Sequence, residues 1–327
     1  MAKAFERIKK WENELNICIR CGYCYENCHL VKLNNWESNS PRGKISLLYG
    51  LLSGRLKPSQ QIAEKLFECF YCKNCSKNCS AKVSVTDIFT AAREDLVEHG
   101  FSAEGVTAKV DQDFCSTCGI CVSVCKAEAI TIDREKKQIT LDKVKCQGCG
   151  SCIAACPSGI VSQKHGYGIT PSELSDQIDG ILENSADGKP SVIVFLCNWQ
   201  VHPGLHMSKM GELIEQKDLP YGIIVNVCAG RIGIDLVLQA LDRGAWGVMV
   251  AACPFDECEH DGNYKIKARI HMLKNMMQQI GINPQRVKLD YFARTDGAKF
   301  LKSVNSFMDE INPMGPIKEA VQTIEAS

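Results

Sequence analysis

A chain of 327 residues that is 45% hydrophobic, 23% charged and 7% aromatic can bury two or three compact cores, which excludes a disordered polymer. Its 38 basic and 38 acidic side chains cancel, so the charge does not point to a nucleic-acid or anionic-membrane partner. The longest apolar run, Trp246 to Cys253, is short and interrupted by Gly247, so no transmembrane segment is expected. The opening MAKAFERIKKW lacks the apolar core of a secretory signal, and a cytoplasmic location is the expectation.

In chain order, residues 1–108 read as a helical domain. Phe5, Ile8, Trp11 and Leu15 share one helical face leading into Cys18. Cys18, Cys21, Cys24 and Cys28 then form a C-x2-C-x2-C-x3-C run, and Cys69, Cys72, Cys75 and Cys79 form a second. Between them Pro41-Arg42-Gly43-Lys44-Ile45 opens a helix. Arg42 and Lys44 either offset negative charge at the cysteines or solvate the helix start. Thr86 to His99 reads as another helix, stopped by Gly100.

Residues 109–168 form an internal repeat. Its runs are Cys115, Cys118, Cys121, Cys125 and Cys146, Cys149, Cys152, Cys156, with ITIDREKKQITLD between them alternating as a hairpin. Arg134, Lys136 and Lys137 are expected to solvate its turn. Residues 169–190 read as a linker helix, opened by the capping box Thr170-Pro171-Ser172-Glu173. Over 191–312, strands at Val192–Leu196, Ile223–Val227, Gly247–Ala252 and Val287–Phe292 alternate with helices near 204–216, 232–243, 263–280 and 297–311. That pattern predicts a small parallel α/β domain. Residues 313–327 read as a tail. The expected fold class is therefore multidomain α+β and α/β.

Twenty cysteines exceed what packing asks of a chain without secretory features. Four thiolates on four irons match one run, because cysteines at i, i+3 and i+6 wrap three corners of a 4Fe–4S cubane. The fourth cysteine then ligates the other cluster of a pair. Structural zinc, the competing reading, usually takes two separated C-x2-C pairs. Crossed ligation groups Cys18, Cys21 and Cys24 with Cys79, and Cys69, Cys72 and Cys75 with Cys28. It likewise groups Cys115, Cys118 and Cys121 with Cys156, and Cys146, Cys149 and Cys152 with Cys125. Gly22, Gly119 and Gly150 follow the second cysteine of three runs, with Lys73 in the other, and let backbone N–H groups approach sulfur. Pro157 follows Cys156 as in bacterial ferredoxins, whereas His29, Ser80 and Lys126 stand there in the other runs. His29 is expected not to be a ligand.

The remaining cysteines are Cys197, Cys228, Cys253 and Cys258. Three end successive predicted strands and the fourth lies five residues beyond Cys253, so all four converge on the carboxyl edge of the sheet. Four thiolates suit a 2Fe–2S cluster, with zinc as the alternative. The nearby His202, His206 and His260 are expected at the surface.

FLCNW (195–199), CAGR (228–231), ACPFDEC (252–258) and GNYK (262–265) resemble the delta subunit of methyl-viologen-reducing hydrogenase. That resemblance implies a 2Fe–2S domain exchanging electrons with a flavoprotein like that of heterodisulfide reductase (its A subunit). Gln200 stands where that family usually has a further cysteine. CIRCGYCYENC, SPRGKI and CFYCKNC resemble the C subunit of heterodisulfide reductase and the iron–sulfur subunits of glycolate and lactate oxidation systems. Residues 109–168 are similar to two-cluster bacterial ferredoxins.

The resemblances imply an electron-transfer subunit with four 4Fe–4S clusters and one 2Fe–2S cluster in a heterodisulfide-reductase-like complex, one that could use flavin-based electron bifurcation. Its implied partners are that flavoprotein, a catalytic subunit like the B subunit of heterodisulfide reductase, and a dehydrogenase or hydrogenase donor. The chain has no Cys-Cys dipeptide, no G-x-G-x-x-G and no nucleophile–base arrangement, so catalysis is expected on another polypeptide. A relay in a quinone-linked hydroxyacid oxidation complex, a stand-alone ferredoxin-type carrier and a zinc scaffold are the alternatives.

Overall fold

The structure, a computed structural model, describes residues 5–26, 28, 30–31, 36–163, 171–183, 192–197, 221–226 and 228–317. The chain divides into two compact bodies. One comprises Met1–Gly148 and Ile160–Tyr167, and the other Cys149–Gly159 and Gly168–Ser327.

In the first body, α1 (Glu6–Lys9) and α2 (Glu12–Ile17) bury Ile8 and Leu15, two members of the expected apolar face. α3 (Tyr23–Glu26) follows in the first cysteine run. α4 (Pro41–Leu52) starts where Ser40 Oγ accepts the Gly43 N–H at 2.8 Å, with Pro41 preset for the first turn. α5 (Gln60–Phe67), α6 (Asn74–Lys77) and α7 (Val85–Glu98) complete the helices of this segment.

The periodic apolar faces of these helices close one core, including Ile45, Leu48, Leu66, Phe67, Ile88 and Leu96. Buried Asp95 on α7 binds α1 from a distance in sequence. Its carboxylate accepts the backbone N–H groups of Arg7 and Ile8 at 3.1 and 2.9 Å, meeting donors that the start of a helix leaves unused.

The rest of this body is small antiparallel sheet. β1 (Ala108–Val110) precedes α8 (Ile120–Ser123), and β2 (Ile130–Asp133) pairs with β3 (Gln138–Leu141) as the expected hairpin. In its turn Asp133 Oδ1 accepts from the Glu135 and Lys136 N–H groups, and Lys137 is left-handed. After α9 (Ser151–Ala155), which belongs to the second body, β4 (Val161–Gln163) returns to pair with β1.

In the second body, α10 (Pro171–Glu183) leads into β5 (Val192–Cys197), β6 (Tyr221–Asn226), α11 (Ile234–Asp242), β7 (Gly247–Ala252), α12 (Gly262–Gln279), β8 (Val287–Tyr291) and α13 (Gly297–Ile311). The four strands pair in parallel in the order β6-β5-β7-β8. β5 and β7 are buried along their whole length, as unbroken apolar runs in a covered parallel sheet require.

Ile193, Phe195, Val248 and Val250 pack in one core with Leu236 and Val237 of α11 and Ile266, Ile270 and Leu273 of α12. On β7, Gly247 lacks the Cβ that would press on Phe307 and Ile311 of α13. On β6, Gly222 makes the same allowance for Ile181 of α10. The helix expected near 204–216 lies outside the described residues. None of the described helices is long and apolar enough to cross a membrane.

Candidate iron–sulfur centres

The four runs repeat one backbone conformation. The residue before the second cysteine and the residue after it are left-handed in each: Arg20 and Gly22 (φ 55° and 93°), Tyr71 and Lys73 (53° and 56°), Thr117 and Gly119 (50° and 80°), Gly148 and Gly150 (67° and 73°). Such reversals turn successive N–H groups inward and make a concavity that favours anionic sulfur. A short helix, α3, α6, α8 or α9, begins at once and carries the third cysteine as its second residue. Beyond the fourth cysteine, Val83 and Ala129 donate their N–H groups to Cys79 Sγ and Cys125 Sγ at 3.4 Å, each after a left-handed residue, Lys82 or Glu128. Spacing reveals the cysteines and the glycines. The left-handed Arg20, Tyr71 and Thr117 carry no signal, because their residue types do not announce that conformation.

In the first body the cysteines gather across the two N-terminal runs. Cys18, Cys21, Cys24 and Cys79 line one cavity together with Arg42 and Ser80. Cys28, Cys69, Cys72 and Cys75 line another with Lys44, Phe89 and Thr86. Burial and the neighbouring Cys18 and Cys21 push the Cys24 thiol up to about 11. Burial also raises Cys28, while Lys44 pulls it down and Cys69 pushes it up. Cys75 is raised by burial and then by Cys69, Cys72 and Cys28. Cys21, exposed, is lowered by the Tyr23 N–H and by Ser80.

Two basic residues two positions apart thus serve different cavities. Arg42 is partly exposed and forks onto Glu37 at 2.8 and 2.9 Å, whereas Lys44 is only 1% exposed. Burial excludes the solvated helix start for Lys44. Arg93, also buried, donates to the carbonyls of Leu66, Cys69 and Cys146 at 2.8, 2.9 and 3.3 Å and lies over the rings of Phe67 and Tyr71. It therefore fastens the loop of the second run to the start of the fourth.

In the second body, strand order places Cys197 and Cys253 beside the switch point. β5 has β6 on one side and β7 on the other, so their carboxyl ends open a crevice. Cys197 Sγ and Cys253 Sγ lie 3.2 Å apart. Cys258 is held far down in pKa by hydrogen bonds from Cys228 and Cys253 and from the His260 and Asn263 N–H groups. Cys228 is raised by its bond to Cys258, by burial and by Cys197. All four cysteines are at most 6% exposed.

Two glycines inside the CAGR and GNYK segments, to which the sequence assigns no role of their own, make room for this group. A Cβ on Gly262 would sit 2.3 Å from Cys228 Sγ, and one on Gly230 would meet Ser151 Oγ at 2.6 Å. The Cys149–Gly159 segment joins this body through Arg269, whose guanidinium donates to the carbonyls of Gly230, Ile232 and Ser151. Buried Arg231 fills the space that Gly150 leaves open.

Among the described residues no three His, Cys, Asp or Glu side chains surround one point closely enough to hold a single metal ion. The fit to iron–sulfur clusters rests on all-thiolate donor sets, backbone N–H groups turned toward sulfur, and glycines that keep Cβ atoms out.

His260, expected at the surface, is buried at 1% exposure. Its loop folds back beneath α12, with its N–H toward Cys258 and its carbonyl accepting from Lys265 Nζ at 2.9 Å. His29, Gln200, His202 and His206 lie outside the described residues.

The fold and these thiol sets define an iron–sulfur protein built from two 4Fe–4S dicluster domains and a hydrogenase-delta-type domain. Residues 14–83 and 114–160 each match a 4Fe–4S dicluster domain model, and residues 192–315 match the model of methyl-viologen-reducing hydrogenase, delta subunit. The iron-sulfur D subunit of the F420-non-reducing hydrogenase vhc from Methanococcus voltae is 34% identical over 129 residues, 39% of this chain and 88% of that protein. The F420-non-reducing hydrogenase counterpart from Archaeoglobus profundus is 30% identical over 135 residues, 41% of this chain and 97% of that protein. The chain belongs to the methyl-viologen-reducing hydrogenase delta subunit family.

The A subunit of the ferredoxin/F420H2-dependent CoB-CoM heterodisulfide reductase from Methanosarcina acetivorans is 33% identical over 216 residues, 66% of this chain. This chain spans 26% of that protein's length.

Proposed function

We propose that the chain is the iron–sulfur relay of a heterodisulfide-reductase-like complex, carrying four 4Fe–4S clusters and one 2Fe–2S cluster. The observation that carries this reading is the gathering of cysteines from two separate runs into two four-thiol cavities. Each set has the number and the crossed origin that a paired cubane arrangement requires. Cys115, Cys118 and Cys121 with Cys156, and Cys146, Cys149 and Cys152 with Cys125, hold the second pair by the same rule. Cys197, Cys228, Cys253 and Cys258 hold the fifth centre.

When bound, the clusters take up and release single electrons. The chain's own residues bury them, direct N–H groups at sulfur and fix their spacing. Arg93 supports a route from the second run toward the fourth, since one guanidinium holds carbonyls of both. In the second body, Cys149 is an electrostatic neighbour of Cys228, which supports continuation toward the fifth centre. Relatives that are subunits of heterodisulfide reductase and hydrogenase support a complex with other redox subunits. The partners proposed, as the resemblance implies, are a flavoprotein like the A subunit of heterodisulfide reductase, a catalytic subunit like its B subunit, and a hydrogenase or dehydrogenase donor.

Anaerobic affinity purification of the chain from its native cells tests the assignment. Co-purification of a flavoprotein with a hydrogenase, dehydrogenase or heterodisulfide-reducing subunit is expected. Recovery of the chain alone, fully reduced by dithionite as a monomer, would establish a free carrier instead.

A further inference from the structure

We propose that Lys44 fixes the order in which the two N-terminal clusters accept electrons, by holding a buried cation against the centre of Cys28, Cys69, Cys72 and Cys75 alone. This rests on the reading of those cysteines as ligands of one 4Fe–4S cluster.

The argument is a comparison within one helix turn. Arg42 and Lys44 both sit in the first turn of α4, yet they line different cavities. Arg42 reaches the Cys18, Cys21, Cys24 and Cys79 set, but Glu37 forks onto its guanidinium, so the pair contributes almost no net charge. The other cation lining that cavity, Arg20, is exposed, as is Cys21, so water screens what remains. Lys44 is 1% exposed and shares its cavity with four cysteines and the apolar Phe89, Phe70 and Leu30. Lys73 also lines this cavity but is partly exposed to water.

A cubane with four thiolates goes from about −2 to about −3 when one electron enters. No bond forms or breaks in that step, and the donor loses the same electron. A buried positive charge favours the more negative state, so it raises the potential of the centre it faces. On this proposal the charge of Lys44 outweighs the burial that by itself lowers the potential of a water-excluded centre, so the second centre fills first and the first passes electrons downhill to it.

The test is an anaerobic redox titration of the full-length holoprotein with dithionite, followed by electron paramagnetic resonance, with iron and sulfide counted in each sample. Lys44→Met is expected to move one 4Fe–4S component to lower potential by about tenfold or more in its one-electron equilibrium, 59 mV. Lys44→Arg, which keeps the charge, and the double variant Glu37→Gln/Arg42→Met, which removes a neutral pair, are each expected to move no component by more than about threefold.

The proposal is overturned if Lys44→Met keeps its iron and shifts nothing, or if Lys44→Arg shifts as far as Lys44→Met. It is equally overturned if Lys44→Met and Lys44→Gln both lose a cluster, which assigns the side chain a structural role. A wild-type chain with no 4Fe–4S signal fails earlier and sinks the underlying reading itself.

Discussion

The four cysteine runs and the sheet-edge group solve the same problem in opposite ways. In the runs, three of the proposed ligands come from seven consecutive residues and the loop itself supplies the geometry, through left-handed residues on either side of the second cysteine. At the sheet edge the proposed ligands come from the ends of three strands and a following loop, Cys197 to Cys258, and the fold supplies the geometry. A loop-built site is local and repeatable, so its cluster shapes its surroundings. A sheet-built site depends on a core that closes without it.

That contrast is broken most directly by removing one ligand of each kind. Cys75→Ser takes a residue that belongs to the N-terminal core as well as to the second run. It is expected to lose about four irons and make the first body sensitive to protease. Cys258→Ser is expected to lose about two irons while the parallel sheet keeps its protease resistance. Iron analysis with limited proteolysis reads both, and equal damage from the two substitutions contradicts the distinction.

The next effect is steric. Gly262→Ala drives a methyl group into Cys228 Sγ, and overpacking of this kind costs about 1–3 kcal/mol. Loss of the 2Fe–2S signal with unchanged 4Fe–4S signals is the expected spectrum. Gly180→Ala on α10, where a Cβ meets nothing within 4 Å, serves as the opposite case and is expected to stabilise by about 0.5–1 kcal/mol in thermal unfolding.

These substitutions show what the sequence can and cannot disclose. Strand pattern places three of the sheet-edge cysteines, since apolar runs such as Gly247–Ala252 end next to them. It does not single out Gly262 and Gly230, because the need for a missing Cβ arises only when α12 and the loop after β6 approach each other. Cys149–Gly159 repeats the third run so closely that spacing groups it with the ferredoxin-like segment. Its packing against Arg231 and Arg269 depends on residues far along the chain, and no periodicity records that. Lys44 is legible as a candidate, but only burial separates it from Arg42.

A smaller effect sharpens the loop side of the comparison. Lys73 is the one residue after a second cysteine that is not glycine, yet it takes the same left-handed conformation. Lys73→Gly removes that strain and is expected to raise stability by about 1 kcal/mol, whereas Gly119→Ala lowers it by about 1–2 kcal/mol. Denaturant unfolding of the holoprotein measures both.

The smallest effect is the exposed pair beside the first run. Arg42 bonds to Glu37 and holds its carboxyl below the ordinary value. The stabilisation is therefore present above the unfolded carboxyl pKa and is lost as the pH falls through the lower folded value. Open to water, the pair is worth at most about 1 kcal/mol. Comparing Glu37→Gln with the wild type at neutral and acid pH should show a small difference that vanishes in acid.

The central claim is that thiolate sulfur holds iron at five places in this chain. Iron, acid-labile sulfide and zinc, counted per polypeptide in anaerobically purified protein, test it most directly. About 18 irons and 18 sulfides with negligible zinc are the expected result. Stoichiometric zinc with little iron and no sulfide would contradict it.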